Sequence, residues 1–140
     1  MIRHTLLLPS VSARLKTARG REVVLPGPER QVIAEYAALI QEFFFLQWPQ
    51  RSGACARAFA VEPLADDRIG WLITNTTPYA AHVHRAGQPA EPTLFEELVA
   101  DLMVMLPGAV WDALSARLAP AGHTAHPEPF MLRVVQGGRP

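Results

Sequence analysis

The sequence predicts an α+β fold: a small antiparallel β-sheet packed against two or three α-helices, followed by an extended C-terminal arm. Three patterns carry that expectation. Apolar residues recur at helical spacing through residues 28–48 and again through 94–118. Between these stretches, residues 55–75 alternate large apolar side chains with small or polar ones around a turn-forming segment. A proline-rich segment and one more apolar run follow, so residues 1–118 read as a single domain and 119–140 as a linker with a terminal strand or arm.

The chain begins with an apolar run, residues 2–8, of strand character, and residues 10–19 supply a helical turn or two. The first long helix opens at Gly27-Pro28. Glycine serves as N-cap, and proline at the first helical position loses nothing, because its missing N–H has no intrahelical acceptor there. Val32, Ile33, Tyr36, Ala37, Ile40, Phe43 and Phe44 then share one face, with Gln31, Glu35, Gln41 and Glu42 opposite. Trp48-Pro49 closes the helix, since the residue before a proline avoids helical dihedrals. The stretch Phe43-Phe44-Phe45-Leu46 is apolar round most of the circumference, more than one core-facing stripe requires. Phe43 and Phe45 are therefore candidates for contact with a neighbouring subunit, weighed against burial on two sides within the monomer.

A β-hairpin over roughly 55–75 comes next. Phe59 and Val61 mark its first strand, Ile69, Trp71 and Ile73 its second, and "EPLADDR" the turn between them. Asp66 and Asp67 belong to that turn, because neighbouring side chains on extended backbone point apart and aspartate is a common turn former.

The stretch "ITNTTPYAAHVHRAG" raises the sharpest question about function. Thr77-Pro78 repeats the cap-then-proline pattern, predicting a short helix over residues 79–83 that Gly87 ends in a left-handed conformation. Tyr79, His82 and Val83 then lie on one face, while His84 sits about 200° from His82 at ~100° per residue. Only extended backbone would place both rings on one side. The reading as packing and polar contact is preferred. The competing reading, a small cytosolic metal-binding protein or hydrolase, needs His82 and His84 to join His123 and His126 from a Pro/Gly-rich segment.

These residues also carry a likeness. "WPQRSGACARAF" resembles the P-x-R-(S/T)-G-x-x-x-x-(S/A)-F stretch of the tail-completion, or virion-morphogenesis, proteins of tailed bacteriophages. "WLITNTTPYAAHVHRAG" is similar to that family's V-x-N-x-x-P-Y-A-x-x-V-(E/H)-x-G segment, and the likeness spans about residues 48–87. It implies a structural virion protein made in the host bacterial cytoplasm, a neck or head–tail joining subunit that forms a ring. Copies of itself and other neck or tail proteins (connector, stopper, tail tube) would be its partners, with no catalysis and no cofactor. Arg51, Gly53, Asn75, Pro78, Tyr79, Val83, His84 and Gly87 are the assembly residues it implies. Their chemistry agrees. Asn75 can bond the backbone of a turn, Pro78 and Tyr79 fix the chain's direction, and Ala80 and Ala81 permit close approach of another element. The long proline-rich tail, and histidine at 84 where glutamate is commoner, depart from the family pattern.

"EPTLFEELVADLMVML" opens with a capping box in which Thr93 and Glu96 satisfy each other's backbone N–H. Phe95, Leu98, Val99, Leu102 and Leu106 form its buried stripe, and Met103 and Met105 are expected to fill core gaps. Glu96, Glu97 and Asp101 suit the positive end of the helix dipole better than paired-acid catalysis. Pro107-Gly108 is expected to break or sharply kink the helix, leaving Val110, Trp111, Leu114 and Leu118 on a second piece. Beyond residues 119–129, "FMLRVV" returns to strand character, with Phe130 and Leu132 as candidates for completing their own sheet or pairing with a neighbour's.

Composition narrows the function classes. Thirteen basic residues balance thirteen acidic ones and Lys16 is the sole lysine, which argues against direct nucleic-acid recognition. Cys55 is the lone cysteine and has no base or cation beside it in sequence, so it reads as a buried small residue. Nothing in the sequence approaches a membrane span, and the three leucines before Pro9 fall far short of a signal sequence. No G-x-S-x-G, H-E-x-x-H, phosphate loop or paired-cysteine motif occurs. Catalysis would need the fold to gather residues such as His82, Glu97 and Cys55.

Overall fold

The second strand of the hairpin, with hydrogen-bonding partners on both sides, forms the middle of the sheet. The computed structural model describes residues 1–19, 27–50, 53–85 and 92–118. Its elements are β1 (Ile2–Leu7), α1 (Pro9–Arg19), α2 (Gly27–Gln47), α3 (Ala54–Arg57), β2 (Phe59–Pro63), β3 (Gly70–Asn75), a single 3-10 turn (Ala80–His82) and α4 (Leu94–Leu118). The sheet order is β1-β3-β2 and both pairings are antiparallel. This is the α+β arrangement that the sequence predicts.

Period-two alternation puts Ile2, Leu6, Phe59, Trp71, Ile73 and Asn75 on the buried face, with Ile2 and Phe59 flanking Asn75 in register. Three rings from α2, β2 and α4 stack there. Phe44 lies 4.8 Å from Phe59 and 5.4 Å from Phe95, and the Phe59 and Phe95 rings are 10° from parallel. The Trp71 indole N–H donates to the Ile33 carbonyl (2.8 Å), tying β3 to α2. The α2 face expected to be buried is buried in full, and Trp48 closes the helix inside the core.

Several boundaries differ from expectation. The hairpin begins at Phe59, because residues 54–57 form the short helix α3 rather than strand. Gly53 explains this: it takes a left-handed conformation (φ 78°), and its carbonyl accepts from the Arg57 N–H. Helix α1 is eleven residues long, longer than a turn or two. The Leu8 carbonyl starts it by accepting from Val11 and Ser12, and Ser12 Oγ accepts from the Ile69 N–H. The turn at Asp66 is as expected: its carboxylate accepts from the backbone and side chain of Arg68.

Pro107 does not divide α4, which runs as one helix. The proline removes a single donor, opposite the carbonyl of the exposed Met103. Leu102, Leu106, Val110 and Leu114 are fully buried on both sides of it, and the Tyr36 hydroxyl donates to the Ala109 carbonyl (3.4 Å). Tertiary burial of both halves outweighs the roughly 3 kcal/mol that an interior proline costs. Continuity also corrects the expectation about membranes. Read as two pieces, neither half is long enough, but Leu94–Arg117 as one helix is long and apolar enough to span a bilayer by length and composition. In this fold one side of it packs on α2 and the sheet.

The start of α4 carries the expected capping box. The Thr93 N–H donates to Glu96 Oε1 (2.9 Å) and the Glu96 N–H donates to Thr93 Oγ (3.2 Å). Hydrogen bonds from the backbone and then the hydroxyl of Thr93 lower the pKa of the Glu96 carboxyl below its ordinary value. A lowered folded-state pKa contributes stability above the unfolded carboxylate's pKa, and that contribution disappears as pH falls through the folded value. Glu96→Gln keeps a capping amide but removes the titration, so its acid-unfolding curve, followed by circular dichroism, should be flatter in that window than the unaltered chain's.

Gly70 lies where β1 and β3 come closest. A Cβ there would collide with the Leu6 carbonyl oxygen and stand 3.2 Å from Leu7 Cα, both backbone atoms. Gly70→Ala is expected to lower stability by about 1–3 kcal/mol in urea unfolding, whereas Gly108→Ala, with open space around it, should not.

Candidate functional site

The segment that follows β3 is held by one side chain. Asn75 is fully buried. Its Nδ2 donates to the Cys55 carbonyl (2.9 Å) and Oδ1 accepts from the Thr77 N–H (2.9 Å), so the amide joins α3 to the turn leaving the sheet. Cys55 Sγ lies 3.9 Å from the same nitrogen, within the core. The Thr77 carbonyl accepts from Ala80, Tyr79 from His82, and the Met1 amino group donates to the Pro78 carbonyl (3.0 Å).

The short helix expected over 79–83 is a single 3-10 turn, and its inward residue is Ala80. Close approach demands this, since a methyl group fits against the core where a phenol ring does not. Tyr79 is therefore directed outward and is 54% exposed. After Val83 the backbone is extended, and the Val83 carbonyl accepts from the Leu94 N–H (2.8 Å), fastening the joint to the start of α4. His82 is exposed. His84 is half-buried with its Nδ1 buried and unpaired among the described residues, and Arg85 Nε donates to Glu97 Oε1 (3.0 Å).

These placements sort the sequence candidates. Gly53, Asn75, Pro78, Tyr79, Val83 and His84 belong to one connected corner of the fold. Gly53 acts there through its left-handed backbone and Asn75 through its side-chain amide, while Tyr79 and Pro78 offer surface. Phe43 is wholly inside the core, so it cannot meet a neighbouring subunit; Phe45, 37% exposed, and Leu46, 47% exposed, can. Arg51, Gly87, His123, His126, Phe130 and Leu132 lie outside the described residues.

Other features escaped sequence reasoning. Met103 and Met105 are exposed rather than filling the core, and between them Val104 is 83% exposed. Their positions off the 98–102–106 stripe carried that signal. Beside Phe45, an open groove of about 480 Å³ is lined by Ala38, Gln41, Glu42, Ala56, Arg57 and Phe59. Among the described residues no three metal-binding side chains cluster, and no hydrogen bond or ion pair joins His82, Glu97 and Cys55.

No protein-family model, curated protein or solved structure matches the chain. The likeness of residues 48–87 to tail-completion proteins thus stands on the quoted residues alone.

Removing the Asn75 amide would leave the Thr77 N–H without its acceptor and the Cys55 carbonyl with the Ala58 N–H alone. Asn75→Ala is expected to lower unfolding free energy by about 1–3 kcal/mol. Asn75→Asp keeps the acceptor for Thr77 but loses the donor to Cys55, so urea unfolding should place it below the unaltered chain as well.

Proposed function

We propose that this chain is a structural virion protein of a tailed bacteriophage, a neck or tail-completion subunit that forms a ring at the head–tail interface. One observation carries the reading. The corner at residues 75–83 is fixed by the buried Asn75 amide and the inward Ala80, and it presents Tyr79 to solvent from a rigid frame. Such a device positions a surface rather than performing chemistry, and it coincides with the segment that resembles tail-completion proteins. Exposed tyrosine supplies large amphipathic contact area at low entropic cost, as interfaces favour. Phe45, Leu46 and the Met103–Met105 ridge add apolar surface for contacts between copies or with neighbouring neck and tail proteins. The role requires no cofactor, and the chain would reside in the virion.

Tyr79→Ala in the intact phage tests this. Because the ring is exposed, the variant should fold with stability within about 0.5 kcal/mol of the original, yet yield heads and tails that remain unjoined in electron micrographs. Normal yields of joined, infectious particles would overturn the assignment.

A further inference from the structure

Helix α4 is more apolar than the cover it receives. Of the 18 residues that make up the most apolar part of Leu94–Arg117, 33% are buried. Spacings of three and four residues put Asp101, Met105, Gly108 and Asp112 on one outer stripe, with Val104 beside it. Val104 and Met105 are exposed, and Gly108 has nothing within 4 Å of where a Cβ would stand, so another element can come close there. Asp112 is exposed, and its carboxylate has no partner among the described residues.

A second surface lies on α1, where an open groove of about 300 Å³ has Leu7, Pro9, Ala13 and Ile69 as its apolar floor. Ser12 Oγ, which accepts from the Ile69 N–H (3.1 Å), ties the helix to that floor. Lys16 and Arg68 also line the groove. Asp66 holds Arg68 (2.7 Å), whereas the Lys16 ammonium has no partner among the described residues. The Arg14 guanidinium lies over the Trp111 ring, 5.7 Å from its centroid, and so marks the side of α1 that meets α4. Pro9, Ser12, Ala13 and Lys16 share a stripe roughly 150° round the helix from it. The groove and the α4 stripe are therefore separate surfaces.

We infer that the outer stripe of α4 in one copy docks into the α1 groove of a second copy. The two halves match in spacing: Met105, Gly108 and Asp112 follow one another at three and four residues, as do Pro9, Ser12 and Lys16. With the helices side by side in the same direction, Met105 meets Pro9, Gly108 admits Ser12, and Asp112 reaches Lys16 about 10 Å further along. The charges match too. Every charged residue of α1 is basic, whereas α4 carries Glu96, Glu97, Asp101 and Asp112 against Arg117 alone. One chain carries both halves, so the occupant is another copy of it. Because the halves differ, the contact is head-to-tail, and each added copy leaves one of each surface open. It deepens the ring proposed above and rests on that reading for its closure.

Sedimentation of the purified full chain, together with acylation of Lys16, its sole lysine, tests this. The mean mass should rise past two copies by about 100 μM, and acylation of Lys16 should slow about tenfold over the same range. Lys16→Glu and Asp112→Lys, both at exposed positions, should keep the circular dichroism of the unaltered chain. Each alone should weaken association about tenfold, and the two together should restore it to within about threefold. A chain that stays monomeric to about 1 mM overturns the inference, as does a paired variant that does not recover. Association that stops at two copies overturns it as well, since that marks a two-fold contact. So does a Lys16 already protected in the monomer, which would mean that the chain covers its own groove. The joining of heads and tails in the Tyr79→Ala phage decides the parent reading separately.

Discussion

Three phenylalanines hold the layers of this protein together. Phe44 comes from α2, Phe59 from β2 and Phe95 from α4, and their near-parallel rings lie where sheet and helices meet. No two of these elements are consecutive in the chain. Their stacking therefore fixes the relative positions of the two long helices and the hairpin in one contact. Trp48 packs edge-on against Phe59, and His4 against Phe95, so the last turn of α2 and strand β1 are held by the same cluster.

Among the described residues the sheet has three strands and takes its helices on one face, so its central strand carries unusual demands. Trp71 and Ile73 bury their side chains completely, Gly70 allows β1 to approach, and Asn75 turns the strand's end into a polar anchor. A buried amide is costly unless both ends are satisfied. Here both are, and the bonds go to backbone groups of two other segments. A loop that would otherwise be loosely held becomes a fixed platform for Tyr79. Function, on the reading proposed, follows from that rigidity.

What faces outward follows from the same arrangement. With the 98–102–106 stripe of α4 committed to the core, the residues between its turns are left on the surface, and these include Met103, Val104 and Met105. Phe43 and Phe44 fill the core, while Phe45 and Leu46, about 100° and 200° further round the helix, cannot follow them in. Two apolar surfaces thus arise from sequence stretches too apolar for one helix face to absorb.

The sequence by itself determined the fold class, the buried face of α2, the capping box at Thr93 and the bond-making role of Asn75. Each depends on local periodicity, or on hydrogen bonds within a few residues. It misread what depends on distant partners. Pro107 read as a break because its missing N–H is visible locally, whereas the burial of Leu102, Leu106, Val110 and Leu114 that keeps α4 continuous comes from elements distant in sequence, α1 and α2 among them. Helix α3 was hidden because the left-handed backbone at Gly53 overrides the strand-like pattern around it. Ala80 permits the close approach that its small side chain suggests, but which element it meets is defined only by the tertiary structure, where it is buried against the core.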